Sequence, residues 1–251
     1  MSYYIGLDAH TATCMFVTLD SEGKAVSNLN CATTEGNLLR YVRSHQGRKK
    51  LVFEESHLAQ WLYLLLKDEV NELVVCNPLY LGKKQGSKTD SRDAWHLANE
   101  LRCGHVIPVF HADHPLMELR CWVEAYNDLV QDMTRAKNRY KALFRSRGLA
   151  TAGSTIYKQP ERMKELSFES ERFVAENLFE QIAHMGETKA AYSKKFKSIA
   201  KQHKSIRNLC SIPGFDVIRS AAVAALVCSP ERFKNKHKFW AYAMLVKQDR
   251  I

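Results

Sequence analysis

The feature that most constrains the fold is a run of three short β patterns at the start of the chain. Residues 3–7 are apolar and end at Asp8, as expected for a buried strand. Residues 14–19 form a second apolar run, and the turn at residues 20–24 contains a glycine that tolerates positive φ. The segment Ala25–Ala32 is therefore predicted to return antiparallel to the second strand.

Helical and strand patterns then alternate up to about residue 110. Thr89 or Asp90 can cap a helix that runs to about Arg102 and is ended by Gly104. This order predicts an α/β domain over residues 1–112, with helices on the faces of a mixed sheet. The order resembles that of the RNase H-like superfold. The other predicted elements are an amphipathic segment at 37–42, a strand at 51–53 leading into Glu54, a helix at 57–69, and strands at 73–76 and 106–110.

Residues 113–207 are predicted to be a basic helical, coiled-coil region. A break at 148–160 separates a first long helix from a second one at 161–207, with Gly186 as a point of interruption. Its lysines and arginines fit either a solvated coiled-coil face or direct contact with nucleic acid. An apolar stripe on the first helix predicts self-association as a dimer or higher oligomer. The stripe consists of Val123, Tyr126, Val130, Met133, Tyr140 and Phe144.

Residues 208–251 form a third predicted segment. Ile212, Pro213 and Gly214 precede an apolar helix at 220–227, which resembles half of a helix–hairpin–helix whose turn amides can hold a phosphate. On this motif alone, a tight turn between packed helices is the favoured interpretation.

Charge and cysteine usage narrow the class of protein. The chain has 37 Lys and Arg against 27 Asp and Glu, a net charge of +10 that favours polyanionic partners such as nucleic acid. Seven cysteines are scattered without a C-x-x-C pair, which indicates reduced thiols in a cytoplasm. No apolar run reaches the roughly 18 residues that span a bilayer, and no signal peptide is evident, so no membrane association is expected.

Four acidic residues at element ends are the candidate catalytic and metal-binding groups: Asp8, Glu54, Asp90 and Asp93. Carboxylates at strand ends meet at one edge of an α/β sheet, and residues three apart on a helix share a face. Such a cluster needs cations, and hard divalent ions such as Mg²⁺ or Mn²⁺ prefer oxygen ligands. Two such ions about 4 Å apart would serve phosphodiester chemistry. Glu55 competes with Glu54 for this role, and Asp90 could instead cap its own helix.

Lys83, Lys84, Lys88 and Arg92 lie beside these acids in the sequence and are candidate nucleic-acid-binding residues. Solvated loop cations are an equally good interpretation.

Four motifs in the same order resemble the DEDD-type, RuvC-like insertion-sequence transposases. That family opens with G-L-D-x-H, as at Gly6–His10, and carries a strand-end glutamate, as at Glu54. It continues with N-P and then K-T-D-x-x-D-A, as at Asn77 and Pro78 followed by residues 88–94. Its C-terminal pattern matches residues 212–214, 232–233 and 241–243.

The resemblance implies Mg²⁺-dependent DNA strand cleavage and exchange, with DNA as the partner in a bacterial cytoplasm and nucleoid. In some members a structured RNA guides the reaction, so RNA is a second expected partner. The family's catalytic serine follows the segment at 241–243, and this chain stops at Ile251, so it is expected to end before that serine. Ser211, Ser220 and Ser229 precede that position and are not assigned to it.

Three other classes of protein share part of this pattern. A sugar kinase or actin-like ATPase would need a glycine-rich phosphate loop after Asp8, and residues 9–12 contain no glycine. A RuvC-like junction nuclease would use the same acids with water as the nucleophile. A catalytically disabled, nucleic-acid-binding fragment of a transposase is the third alternative.

Overall fold

The computed structural model describes residues 1–80 and 89–244. The chain divides into two compact units, Met1–Asp113 and His114–Ile251. The first contains the sheet and the second is helical. The predicted order of a mixed α/β region followed by helices is confirmed.

The sheet of the first unit has strands in the order β3-β2-β1-β4-β5-β6. β1, β2 and β3 are joined antiparallel, as the turn at residues 20–24 predicted. β4 pairs parallel with β1, and β5 pairs parallel with β4. The strands are β1 (Ser2–Ala9), β2 (Thr13–Leu19), β3 (Ala25–Ala32), β4 (Arg48–Glu54), β5 (Glu72–Cys76) and β6 (Pro108–Val109).

Strand β6 is shorter than the prediction of a strand at 106–110. Its antiparallel pairing with β5 is limited to Val109 opposite Val75 and Pro108 opposite Cys76. Proline has no backbone N–H to donate to a ladder, which weakens the pairing at Pro108. One further backbone bond joins the Asn77 nitrogen to the Ile107 carbonyl oxygen at 3.2 Å.

In the part of the first unit that the structure describes, the sheet is accompanied by α1 (Glu35–Arg43), α2 (Ala59–Leu66) and α3 (Asp90–Cys103). The Thr89 hydroxyl caps α3 by accepting a hydrogen bond from the Arg92 amide at 3.4 Å. Of the two predicted caps, Thr89 therefore fills the role. Gly104 ends the helix with a φ of 74°, a left-handed conformation that glycine adopts without strain.

The sheet buries both faces, and the alternation of side chains along each strand separates two cores. Ile5 and Leu7 of β1 pack with Leu51 and Phe53 of β4 on the face covered by α1 and α2. The intervening residues face α3, where Val52 packs against Leu97. The alternation along a strand therefore determines whether a residue packs against α1 and α2 or against α3.

The second unit is built on an antiparallel pair of long helices, α4 (Pro115–Arg145) and α5 (Glu169–Gln202). The start of α4 meets the end of α5, with the rings of Tyr126 and Phe196 5.8 Å apart. The end of α4 meets the start of α5, where Arg147, just beyond α4, pairs with Glu171 at 2.6 Å. Most of the predicted apolar stripe is buried within this unit, so it does not offer a free surface for self-association.

The predicted helix over 161–207 is confirmed for most of its length, but it begins later and the interruption lies at His203 and not near Gly186. Residues Pro160–Glu165 form a 3₁₀ helix, and α5 then runs through Gly186 without interruption. The helix ends at Gln202 because His203 has an extended backbone, with φ −114° and ψ 111°. A single glycine costs a helix only about 1 kcal/mol, which packing along the rest of α5 readily offsets.

Three shorter helices follow: α6 (Lys204–Cys210), α7 (Val217–Val227) and α8 (Lys236–Tyr242). The turn between α6 and α7 contains Gly214 at a φ of 86°. The Asp216 carboxylate accepts a hydrogen bond from the Arg219 amide at 2.8 Å and so caps α7. That amide is therefore already occupied, which favours a packed tight turn over a phosphate-binding hairpin.

Among the helices within residues 1–80 and 89–244, none combines the length and apolar character that a membrane crossing requires.

Candidate metal centre

Two neighbouring parallel strands bring the first pair of acids together. Asp8 is the penultimate residue of β1, and Glu54 is the last residue of β4. The register pairs Leu7 with Phe53, so Asp8 and Glu54 are the next residues along each strand. Both occupy the alternate positions that face α3, as Gly6 and Val52 do two residues earlier.

Helix α3 lies directly on β1 at Gly6. A Cβ built on Gly6 would overlap the carbonyl oxygen of Ala94 and lie 2.7 Å from the backbone nitrogen of Ala98. Only glycine leaves room for this approach, and the small side chains of Ala94 and Ala98 are themselves fully buried. Gly6 thus allows α3 to contact β1 at a point two residues before Asp8.

The second pair of acids lies on the first turn of α3. Asp90 is exposed and Asp93 is buried, with 6% of its surface accessible. Their spacing of three residues places them on the same side of the helix. The partial positive charge at a helix N-terminus favours carboxylates in this turn.

Among the described residues, Asp8, His10 and Asp90 form a group that could hold a metal ion, and Glu54 and Asp93 lie outside this group. One donor atom from each lies within 4.8 Å of the others. The His10 Nε2 is 3.5 Å from the Asp8 Oδ2. His10 belongs to the sequence motif at Gly6–His10, but the sequence did not predict a role for it. Its position two residues after Asp8, on the same side of an extended chain, was the available signal.

The electrostatics of Asp8 link all four predicted acids. Burial raises the pKa of Asp8, the neighbouring His10 lowers it, and the negative charges of Asp90, Asp93 and Glu54 raise it further. Four carboxylates that repel one another in a partly buried setting favour a bound cation. The structure therefore brings Asp8, Glu54, Asp90 and Asp93 to one edge of the sheet; we refer to these four residues as the acidic cluster.

Glu55, the alternative to Glu54, faces the other way. Its Oε2 lies 2.6 Å from the Nε2 of His111, whose Nδ1 in turn lies 2.8 Å from the Oε1 of Gln60. The His111 side chain is only 5% exposed. Glu55 is thus held in a network beside α2.

The loops at this edge of the sheet are joined by a further contact that sequence reasoning missed. The hydroxyl of Thr11 lies 3.1 Å from the Nε2 of His57. The backbone nitrogen of His10 donates to the Thr13 carbonyl at 2.9 Å, and Thr33 donates its hydroxyl to the His10 carbonyl at 2.7 Å. These bonds hold the loop after β1 in place and with it His10.

Of the predicted nucleic-acid-binding residues, Arg92 is exposed on the first turn of α3, one residue before Asp93. Lys83, Lys84 and Lys88 lie outside the described residues.

An α/β domain with carboxylates gathered at the ends of adjacent parallel strands, in a chain whose second unit is basic, is typical of proteins that process nucleic acids. Residues 5–147 match the sequence model of a family described as transposase, the DEDD transposases of the IS110 type. This match covers more than half of the chain, including the acidic cluster, and the chain belongs to that family. Its general function is therefore that of an insertion-sequence transposase, an enzyme that recombines DNA. No curated protein matches the chain significantly.

Proposed function

We propose that this chain uses the acidic cluster to bind Mg²⁺ or Mn²⁺ and to cleave and exchange strands of insertion-sequence DNA. The observation that carries the proposal is the convergence of Asp90, Asp93 and Glu54 on the partly buried Asp8, whose pKa burial and these neighbours raise. Carboxylates that repel one another are stabilised together by a bound cation.

The sheet supports an RNase H-like fold for the first unit. Its order β3-β2-β1-β4-β5, with β2 antiparallel to the rest and β1, β4 and β5 parallel, agrees with the resemblance drawn from the sequence. In a sheet of this kind, ligands collect beyond the carboxyl ends of the parallel strands. Asp8 and Glu54 lie at that edge.

The donor set fits a divalent cation. The cluster offers carboxylate oxygens, which Mg²⁺ and Mn²⁺ prefer, and the adjacent His10 nitrogen is compatible with Mn²⁺. Asp8 and Asp90 lie close enough to share one ion, and Glu54 and Asp93 would complete the site. Ions bound there would supply Lewis acidity at the DNA phosphate.

The protein's own residues would position the metal ligands and keep a competing carboxylate away from the site. Gly6 fixes the distance from β1 to α3, while the Glu55 and His111 pair keeps a fifth carboxylate out of the site. Exposed Arg92 would contact a DNA phosphate beside the cluster, since guanidinium groups bind phosphate in a bidentate manner.

A nicking assay on supercoiled plasmid tests the chemistry. We expect wild-type protein to convert the plasmid to the nicked form with Mn²⁺ and not with EDTA, and Asp8→Asn to abolish nicking. The matched control is Asp68→Asn, which removes an exposed carboxylate paired with Lys67 in the same unit. Preparations made with and without ribonuclease treatment determine whether a co-purified RNA is required.

Two outcomes would count against the proposal. Nicking by Asp8→Asn at the wild-type rate would remove the acidic cluster from the chemistry. Metal binding by wild-type protein with no nicking in either preparation would favour a catalytically disabled protein that binds nucleic acid.

A further inference from the structure

The basic charge of the chain is concentrated in the second unit. Residues 114–251 contain 25 Lys and Arg against 14 Asp and Glu, whereas residues 1–113 contain 12 against 13. The net charge of +10 therefore comes from the helical unit and not from the unit that holds the acidic cluster. A polyanion attracted by this charge would meet the helices.

Many cations of the α4–α5 pair are already engaged at one of its ends. Arg135 pairs with Asp132, Arg147 with Glu171 and Arg162 with Glu165. Lys137 and Lys141 lie over the ring of Tyr157, at 5.2 and 5.3 Å from its centroid. Arg139, Lys158 and Lys164 are exposed at this end as well. Acidic residues are interspersed among them, at Glu161, Glu165, Glu169 and Glu171, so much of the positive charge here is balanced locally.

The other end is different. After Glu187 the sequence contains no acidic residue until Asp216. Within this stretch, Lys194, Lys197 and Lys201 are all exposed on the last two turns of α5. In the described part of the chain, none of their side chains makes an ion pair, hydrogen bond or ring contact. We call these three residues the lysine stripe.

Helix geometry aligns the lysine stripe on one face. Steps of three and four residues return to the same side of an α-helix. The stripe spans about 10 Å along the helix axis, close to the axial rise of about three base pairs of a DNA duplex. The helix face that carries Phe196 and Ala200 is buried instead, so the stripe points away from the packed side of α5.

From this contrast we infer that the lysine stripe is a docking surface for the sugar–phosphate backbone of duplex DNA. This inference rests on the proposed function for its choice of DNA. An anionic membrane is a poorer fit, because an interfacial helix needs exposed large apolar side chains beside its lysines. Here the neighbouring exposed positions are Ala190, Ala191 and Ser198.

Phosphate neutralisation gives the inference a measurable signature. Each lysine that contacts a phosphate adds about 0.9 to the slope of log affinity against log salt concentration. Loss of three contacts lowers the magnitude of the slope by about 2.7. Between about 50 and 200 mM salt, the ratio of wild-type to variant affinity then falls by roughly 40-fold.

The experiment uses the full chain and a fluorescein-labelled DNA duplex of about three helical turns. Fluorescence anisotropy gives the affinity at several salt concentrations for wild type and for the variant Lys194→Gln, Lys197→Gln, Lys201→Gln. The control variant, Arg135→Gln, Arg147→Gln, Arg162→Gln, removes the same charge from the engaged end. Circular dichroism and urea denaturation verify that both variants fold.

We expect the slope to fall by about 2.7 in the stripe variant and to stay near the wild-type value in the control. An unchanged slope in the stripe variant would overturn the inference and identify the lysines as a solvated face. Equal falls in both variants would also overturn it, since net charge and not the stripe would then determine affinity. Loss of nicking by Asp8→Asn tests the proposed function separately, because that substitution leaves the stripe intact.

Discussion

Substitution of Gly6 by alanine tests how the acidic cluster is assembled. An added Cβ overlaps the Ala94 carbonyl and lies 2.7 Å from the Ala98 nitrogen, and both atoms belong to the backbone of α3. Non-bonded heavy atoms need about 3.5 Å, so α3 would have to move away from β1 by about 1 Å or more. Overpacking of this kind costs about 1–3 kcal/mol.

The same displacement should weaken metal binding. A shift of about 1 Å is half of a Mg²⁺–oxygen distance of about 2 Å, so the acids on α3 and those on the strands could no longer share an ion. We expect Gly6→Ala to lower the affinity for Mn²⁺ by at least about tenfold, which corresponds to about 1.4 kcal/mol. Calorimetry measures the affinity and urea denaturation the stability.

Gly36→Ala is the matched control, since a Cβ at Gly36 meets no atom within 4 Å. Gly36 lies in α1, where alanine is the better helix former, so this variant should be at least as stable as wild type. Hydrogen exchange should localise the effect of Gly6→Ala to β1 and α3. If Gly6→Ala matched Gly36→Ala in both stability and metal affinity, the assembly of the cluster by close packing of α3 would be refuted.

Three further predictions concern single residues. Gly186→Ala should stabilise the second unit by about 0.5–1 kcal/mol in urea denaturation, because the glycine is inside an uninterrupted helix and a Cβ there meets nothing; a loss of stability would contradict this. Asp8→Asn should raise the melting temperature of the metal-free protein at neutral pH. Burial and nearby carboxylates raise the pKa of Asp8, so its ionised form lowers stability above that pKa, and the gain should disappear below about pH 4. Equal melting temperatures of variant and wild type at neutral pH would contradict the raised pKa. Cys14 should resist iodoacetamide at pH 8 while exposed Cys121 reacts, because burial and the Cys31 thiol raise the pKa of Cys14 to about 12, which leaves a thiolate fraction of about 10⁻⁴; similar labelling rates by mass spectrometry would argue against it.

Local sequence patterns predicted the strand ends and the helix caps, because these depend on neighbouring residues. Short apolar runs placed Asp8 and Glu54 at the ends of β1 and β4, and the Thr89 and Gly104 capping signals delimited α3. The choice between Glu54 and Glu55 depended on a family resemblance. The structure supplies the physical reason, which is the His111 partner contributed from 56 residues away.

Contacts between residues that are far apart in the chain could not be predicted from the sequence. The apolar stripe on α4 indicated a partner, and periodicity alone could not distinguish a second chain from α5 of the same chain. Gly186 suggested a helix break because propensity is judged locally, whereas packing along α5 decides the outcome. The division of cations into engaged and unengaged groups likewise depends on which acids the fold brings near.

The central claim is that the acidic cluster, and not simply the acidity of this edge of the sheet, binds a divalent metal. The most direct measurement is calorimetric titration of Mn²⁺ into wild type, Glu54→Gln and Glu55→Gln, two isosteric changes at adjacent positions. We predict that Glu54→Gln weakens Mn²⁺ binding by at least about tenfold, while Glu55→Gln, which keeps a hydrogen bond to His111, binds like wild type. Equal effects of the two substitutions, or no binding by wild type, would contradict the claim.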